Sequence, residues 1–209
     1  MNALAPGAAI GILGGGQLGR MLALAGAELG FDIVIYTPEP DSPAGRVAAR
    51  TIVAGYDDAE ALAAFAQETA AITYEFENVP AATAAALIEL GALVRPGAAS
   101  LDAAQDRIAE KRFFAQHAVQ TAPYCAIDTE ADLEAALSRT GLPAILKTRR
   151  LGYDGIGQAR VASLEEAKRA FRETLHGAPA IAEGVVAVER EISIIAARGA
   201  DGMIAFYDL

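Results

Sequence analysis

Cysteine is almost absent from this sequence. Cys125 stands alone, which excludes an intramolecular disulfide and points to a reducing, cytoplasmic setting. Histidine is nearly as scarce: His117 and His176 lie far from each other and from Cys125, with no metal-ligand or nucleophile spacing around them. All three read as structural or surface residues. Basic charge is in deficit, with 17 Lys and Arg against 27 Asp and Glu and a net charge of −10, so the chain has no general attraction for nucleic-acid backbones. No apolar run approaches the ~20 residues that a bilayer span needs. The first seven residues carry no basic segment ahead of an apolar one, so no secretory signal is expected.

What is present suits a packed globular protein. Hydrophobic residues make up 53% and charged ones 21%, a balance that argues against disorder. There are 49 alanines, and most fall in helix-like segments. At roughly 150 residues per domain, 209 residues make about 1.4 domains: one large α/β domain, or one domain and part of another. No internal repeat or low-complexity linker divides the chain.

Alternation of apolar runs with helical spacing organises the first hundred residues. Ala8-Ala9-Ile10-Gly11-Ile12-Leu13 reads as a strand that stops at three glycines. Leu18, Met21, Leu22, Ala25 and Leu29 then share one face of a helix ended by Gly30. Asp32-Ile33-Val34-Ile35-Tyr36 is a second buried strand, and Thr51-Ile52-Val53 a third. Asp57 or Asp58 can cap a helix running to about Gln67. Ala71-Ile72-Thr73-Tyr74 is a fourth strand, and Val79-Pro80 opens another helix. Such alternation predicts a parallel sheet covered on both faces.

After Arg95-Pro96-Gly97 the pattern changes. A charged helix is expected from Asp106 to His117, then an extended segment around Pro123, a helix over 130–139 and a strand Ala144-Ile145-Leu146-Lys147. A strand Gln158-Ala159-Arg160-Val161 precedes a helix starting at Ser163, where Ser163 and Glu166 have the form of a capping box. Ala180-Ile181-Ala182 and the apolar-rich stretches 185–197 and 203–207 read as strands.

Four places could carry chemistry. Gly14-x-Gly16-x-x-Gly19 lies between strand and helix, where glycines allow a tight turn and the helix N-terminus offers free N–H groups to an anion. A dinucleotide site would also want an acid at the tip of the second strand, and that tip is Tyr36-Thr37, which weakens an NAD-linked reading. In the second, Lys147 ends a strand and Thr148-Arg149-Arg150-Leu151-Gly152-Tyr153-Asp154-Gly155-Ile156-Gly157-Gln158 follows. There glycines permit close backbone approach to phosphates and the basic residues supply charge. In the third, Glu183-Gly184-Val185-Val186, an apolar edge strand could pair an adenine edge, with Glu191 further on to accept ribose hydroxyls. The fourth, Tyr74-Glu75-Phe76-Glu77-Asn78, falls at the C-terminal end of a strand, where open α/β sheets bind ligands. Asp106, Arg107 and Lys111 share a helix face and read as an exposed ion-pair network.

The motifs Gly14-Gly15-Gly16-Gln17-Leu18-Gly19-Arg20-Met21, Tyr74-Glu75-Phe76-Glu77-Asn78 and Gly152-Tyr153-Asp154-Gly155, in this order, resemble the N5-carboxyaminoimidazole ribonucleotide synthetase family of the ATP-grasp superfamily. The resemblance runs from about Ile10 to Leu209. It implies an α/β fold: a Rossmann-like pre-ATP-grasp sheet over about 1–100, then a partial ATP-grasp domain over 101–209. The latter would hold a small α+β lid over about 120–187 and the first strands of a larger sheet over 188–209. It further implies ATP-dependent carboxylation of 5-aminoimidazole ribonucleotide with bicarbonate, through carboxyphosphate, in purine biosynthesis. A homodimer and Mg²⁺ belong to the same implication. By position, Arg107 and Lys147 would contact the ATP phosphates, and Gly152, Tyr153, Asp154, Gly155, Ile156, Gly157 and Gln158 would form the closing loop. Glu183, Gly184, Val185 and Val186 would line the adenine, and Glu191 would hold the ribose. Gln17, Leu18, Glu75, Tyr153 and Asp154 would face the imidazole ribonucleotide. The chain departs from the family pattern at Ile156, where members commonly carry a basic residue. The third subdomain, which carries the Mg²⁺ ligands in this superfamily, would lie beyond Leu209, so the chain alone is expected to be inactive. A sister ligase such as the formate-dependent glycinamide ribonucleotide transformylase, or a non-catalytic nucleotide-binding module, is the alternative.

Overall fold

Three strand ends brought level with one another define the first half of the molecule. The computed structural model describes residues 3–152 and 155–208. β1 (Ala9–Leu13), β2 (Asp32–Thr37), β3 (Arg50–Val53) and β4 (Ala71–Tyr74) form a wholly parallel sheet in the order β3-β2-β1-β4. Leu13 of β1 lies beside Tyr36 of β2 and Tyr74 of β4, so the Gly-rich turn and Glu75 leave the sheet at one edge. Alternation splits the strands between two faces. Leu13, Val34, Tyr36 and Ile72 pack with Phe65 of α2 (Ala59–Glu68), Leu87 of α3 (Ala81–Glu89) and Leu101 of α4 (Ala98–Gln105). On the other face Ile12, Ile33 and Ile35 pack with Ala23 of α1 (Gln17–Glu28) and with Ala44. Burial on both faces explains why these strands read as unbroken apolar runs.

The apolar stripe of α1 faces away from the sheet: Leu18, Met21, Leu22 and Leu29 are exposed, whereas Gly19 and Ala23 are buried. The helix approaches too closely for large side chains. A Cβ on Gly26 would come within 2.6 Å of Ile33 Cδ1.

The second half is antiparallel. β5 (Tyr124–Ile127), β6 (Ala144–Thr148), β7 (Gln158–Val161) and β8 (Ala180–Gly184) form a sheet in the order β5-β8-β6-β7. One face is covered by α6 (Leu133–Thr140) and α7 (Leu164–Glu173), with Leu133, Leu137, Leu146, Ala170, Phe171 and Ala182 in a common core. Ser163 caps α7 by accepting from Glu166 N–H, and the Glu166 carboxylate reaches back to Ala162 N–H, one residue short of a reciprocal box. α5 (Arg107–Gln116) links the halves. β9 (Ala196–Arg198) and β10 (Ile204–Phe206) pair as a fully exposed antiparallel hairpin. No helix among the described residues is long and apolar enough to cross a membrane.

The elements differ from the sequence reading in three places. Residues 98–105 form a helix that the local pattern does not announce, separated from α5 only by the extended backbone of Asp106. The segment near Pro123 becomes a true strand, β5, because β8 pairs with it. The strand expected over 185–197 is reduced to Ala196–Arg198, with no regular structure before it.

Candidate functional site

At the edge of the parallel sheet β1 ends on Gly14, whose φ of +106° suits glycine, and α1 begins with Gly16 as an N-cap that has no side chain. The first N–H groups of that helix therefore need an acceptor from elsewhere. Glu75, the residue after β4, supplies it: Gly16 N–H donates to Oε1 at 2.5 Å and Gly19 N–H to Oε2 at 2.5 Å. The register that sets Leu13 beside Tyr74 aims the carboxylate there, and Glu75 N–H donates to Leu13 O. A Cβ on Gly14 or Gly16 would fall 2.5 or 2.9 Å from atoms of Glu75. The glycines thus make room for an anion that belongs to the chain, and the turn as it stands is not an open dinucleotide pyrophosphate cradle. Gln17 and Leu18 are exposed beside it. Of the five residues expected to face the imidazole ribonucleotide, three are brought to this turn; Tyr153 and Asp154 lie outside the described residues.

A second cluster forms on the antiparallel sheet. β6 and β8 pair with Ile145 opposite Glu183, which puts Lys147 and Glu183 on one face as diagonal neighbours. Lys147 Nζ lies 2.5 Å from Glu183 Oε2. Lys111, from α5, lies 2.9 Å from Oε1. Glu183 is only 7% exposed. Burial works to raise its pKa, but hydrogen bonds and charge from Lys147 and Lys111 outweigh that and hold the carboxyl below its ordinary value. Lys111 joins this cluster although the sequence pattern left it among surface ion pairs. The available signal was its spacing of four from Arg107, which puts both on one helix face.

The N-terminus of α5 builds a third group. Asp106, 8% exposed, caps the helix by accepting from Ile108 N–H and, at 3.4 Å, Ala109 N–H. Its carboxylate also takes Arg149 Nη2 at 2.7 Å, with Arg150 Nε at 3.7 Å. Arg149 reaches Asp128 as well. Burial raises the Asp106 pKa, but the Arg149 hydrogen bond, the two N–H donors and the Arg149 charge together lower it. Arg107 turns to the loop, donating from Nε to Thr148 O at 3.2 Å and from Nη2 to Gly152 O at 3.1 Å. The exposed ion-pair network expected here is thus corrected. Asp106 and Lys111 are largely buried, and their partners come from the antiparallel half: Arg149 just after β6 and Glu183 on β8. Between the halves lies a polar cavity of about 300 Å³, lined among others by Glu77, Asn78, Arg107, Arg149, Arg150 and Gly152. It brings the motif after β4 against the basic loop.

The remaining expected site residues are more scattered. Thr148 N–H donates to Gly157 O, which closes the root of the Gly-rich loop, and Ile156 is exposed on it. Glu183 and Gly184 lie in an interior strand, paired on both sides, and not on the edge strand expected; Gly184 N–H is already given to Pro123 O. Only Val185 and Val186, exposed beyond β8, leave the ladder. Glu191 lies in the irregular exposed segment that follows. Among the described residues no group of three or more His, Cys, Asp or Glu side chains is placed to hold a metal ion.

Comparison with known proteins assigns both halves. Residues 8–105 match the ribonucleotide synthetase pre-ATP-grasp domain family, and residues 112–209 match the ATP-grasp domain family. The chain is 52% identical over 210 residues to the N5-carboxyaminoimidazole ribonucleotide synthase of Brucella melitensis, covering 100% of this chain and 58% of that protein. The Staphylococcus aureus N5-carboxyaminoimidazole synthetase structure, complexed with ADP, superposes with a TM-score of 0.91 at 34% identity, over 99% of this chain and 55% of that one. The Thermus thermophilus N5-carboxyaminoimidazole ribonucleotide synthetase gives 0.82 at 48% identity, over 95% and 52%. The chain spans about half the length of the relatives it matches. With a ribonucleotide synthetase pre-ATP-grasp domain followed by an ATP-grasp domain, the chain is similar along its whole length to about the first half of the N5-carboxyaminoimidazole ribonucleotide synthetases.

Proposed function

We propose that this chain provides the nucleotide-binding part of an enzyme that carboxylates 5-aminoimidazole ribonucleotide with bicarbonate and ATP, a cytoplasmic step of purine biosynthesis. Bicarbonate oxygen attacks the γ-phosphorus, ADP leaves, and carboxyphosphate forms. The 5-amino nitrogen then takes the carboxyl carbon as phosphate departs and the amine loses a proton. Positioning and charge neutralisation carry such a reaction, with no protein nucleophile required.

In this reading Lys147 and Arg107 meet the phosphates, and the loop Gly152 to Gln158 closes over them. The segment Glu183 to Val186 lines the adenine, with backbone outside the ladder at Val185 and Val186, and Glu191 accepts from the ribose. Gln17, Leu18 and Glu75, with Tyr153 and Asp154, face the imidazole ribonucleotide. A metal ion would neutralise phosphate charge. Among the described residues no group of three or more His, Cys, Asp or Glu side chains fits a site for it. Homodimerisation belongs to the same reading.

The observation that carries the proposal is the convergence of Lys147, Arg107 and the Gly-rich loop at the ends of β6 and β7. Titration calorimetry of the chain with ATP tests it. Lys147→Ala is expected to cost about 2 kcal/mol of binding, roughly thirtyfold, as the loss of a charge-assisted contact should. Unchanged affinity in a folded variant removes Lys147 from the site.

A further inference from the structure

Glu183 poses an electrostatic problem for the site it occupies. A nucleotide brings several negative charges, and a buried carboxylate bonded to Lys147 neutralises the cation meant to meet them. A Lys147–Glu183 pair by itself has no net charge. Lys111 changes that sum. It takes Oε1 while Lys147 takes Oε2, so two cations share one anion and the cluster carries a charge of about +1. The two lysines are not equivalent. Lys111 is the more enclosed, with its side chain 13% exposed against 21% for Lys147. It arrives from α5 and bonds the carboxylate oxygen that Lys147 leaves free. Lys147 has three N–H donors and spends one on Oε2, and it stands at the end of β6 beside the Gly-rich loop.

Resting on the nucleotide reading above, we propose that Lys111 is a positioning residue for nucleotide binding: it occupies Glu183 Oε1 and so leaves the Lys147 ammonium with surplus charge for the phosphates. Lys111 does not touch the nucleotide. It acts through Glu183, and its effect is therefore a matter of charge balance as much as of packing. A neutral group that still fills the space and donates to Oε1 will not replace it.

The test is calorimetric titration with ATP of four proteins: the wild-type chain, Lys111→Gln, Lys111→Arg, and Lys111→Gln combined with Glu183→Gln. Thermal melts establish that each is folded, and Lys111→Met takes the place of Lys111→Gln if the latter is not. Lys111→Gln should bind ATP about tenfold more weakly, since a full charge is lost a few ångströms from Lys147. Lys111→Arg should stay within about threefold of wild type because charge and donors are kept. The double variant should recover most of the loss, because removing the carboxylate together with its second cation returns the local charge to about +1. A purely structural role for Lys111 predicts no such recovery. Wild-type affinity in folded Lys111→Gln, or a double variant no tighter than the single one, overturns the proposal and leaves the nucleotide reading standing. Absence of ATP binding by the wild-type chain overturns both.

Discussion

An anion at a helix N-terminus can come from a ligand or from the chain, and Glu75 makes it the chain's own. Its two oxygens satisfy Gly16 and Gly19 N–H. Glu75→Gln replaces one of those oxygens with an amide NH₂, which faces a donor and leaves it unpaired. The expected cost is about 1–3 kcal/mol, measured as a lower urea midpoint with unchanged slope. A midpoint equal to wild type would mean that the two N–H groups do not depend on this carboxylate. Both partners were legible separately, as a Gly-rich turn and as a carboxylate at a strand's C-terminal end. Their meeting was not legible, because they lie 59 and 56 residues apart and only the β1–β4 register joins them. The same holds for Lys111 and Glu183. Lys111 reads locally as a surface ion-pair charge and Glu183 as part of an adenine-lining strand, and only the fold brings the two into one cluster.

Among the elements, α5 was legible to within a residue because its cap is local: Asp106 accepts from the N–H groups two and three residues on. Residues 98–105 offered no such signal at their start, where Gly97 makes no side-chain cap, and their helix went unread. β5 depends on β8, more than fifty residues away, and local alternation could not reveal it. Asp106 also ties α5 to the loop after β6 through Arg149, and this tie should titrate. Its folded pKa lies below the ordinary value, so its stabilisation is fully present above that value and is lost as pH falls through the folded pKa. The substitution Asp106→Asn keeps the cap, since asparagine caps a helix as well as aspartate does, and it loses the ion pair. It should therefore cost about 2 kcal/mol at pH 7. The gap between wild type and variant should close as pH falls below about 4. Urea titrations at neutral and acid pH measure it, and a gap that does not vary with pH would show that the ion pair contributes nothing.

The whole molecule holds distinct apolar cores on its two sheets, not a single one. Leu13, Tyr36, Phe65 and Leu87 belong to the parallel sheet, and Leu133, Leu146, Phe171 and Ala182 to the antiparallel one. Across them α5 makes contacts that are largely polar: Arg107 to Thr148 and Gly152, Asp106 to Arg149, Lys111 to Glu183. Polar contacts of this kind are worth far less than a buried core, so each sheet should open as its own cooperative unit. Such an arrangement would let the second sheet and its Gly-rich loop move against the first without breaking either core. Leu146→Ala tests the division, because Leu146 is fully buried at the centre of the second core. Removing its side chain should cost about 2–5 kcal/mol. Amide hydrogen exchange read by mass spectrometry should then show faster exchange over β5 to β8, α6 and α7. β1, β2 and β4 should keep wild-type protection, because their core does not include Leu146. If protection falls equally across both sheets, the molecule is a single cooperative unit, and the polar contacts of α5 couple its halves far more tightly than their chemistry predicts.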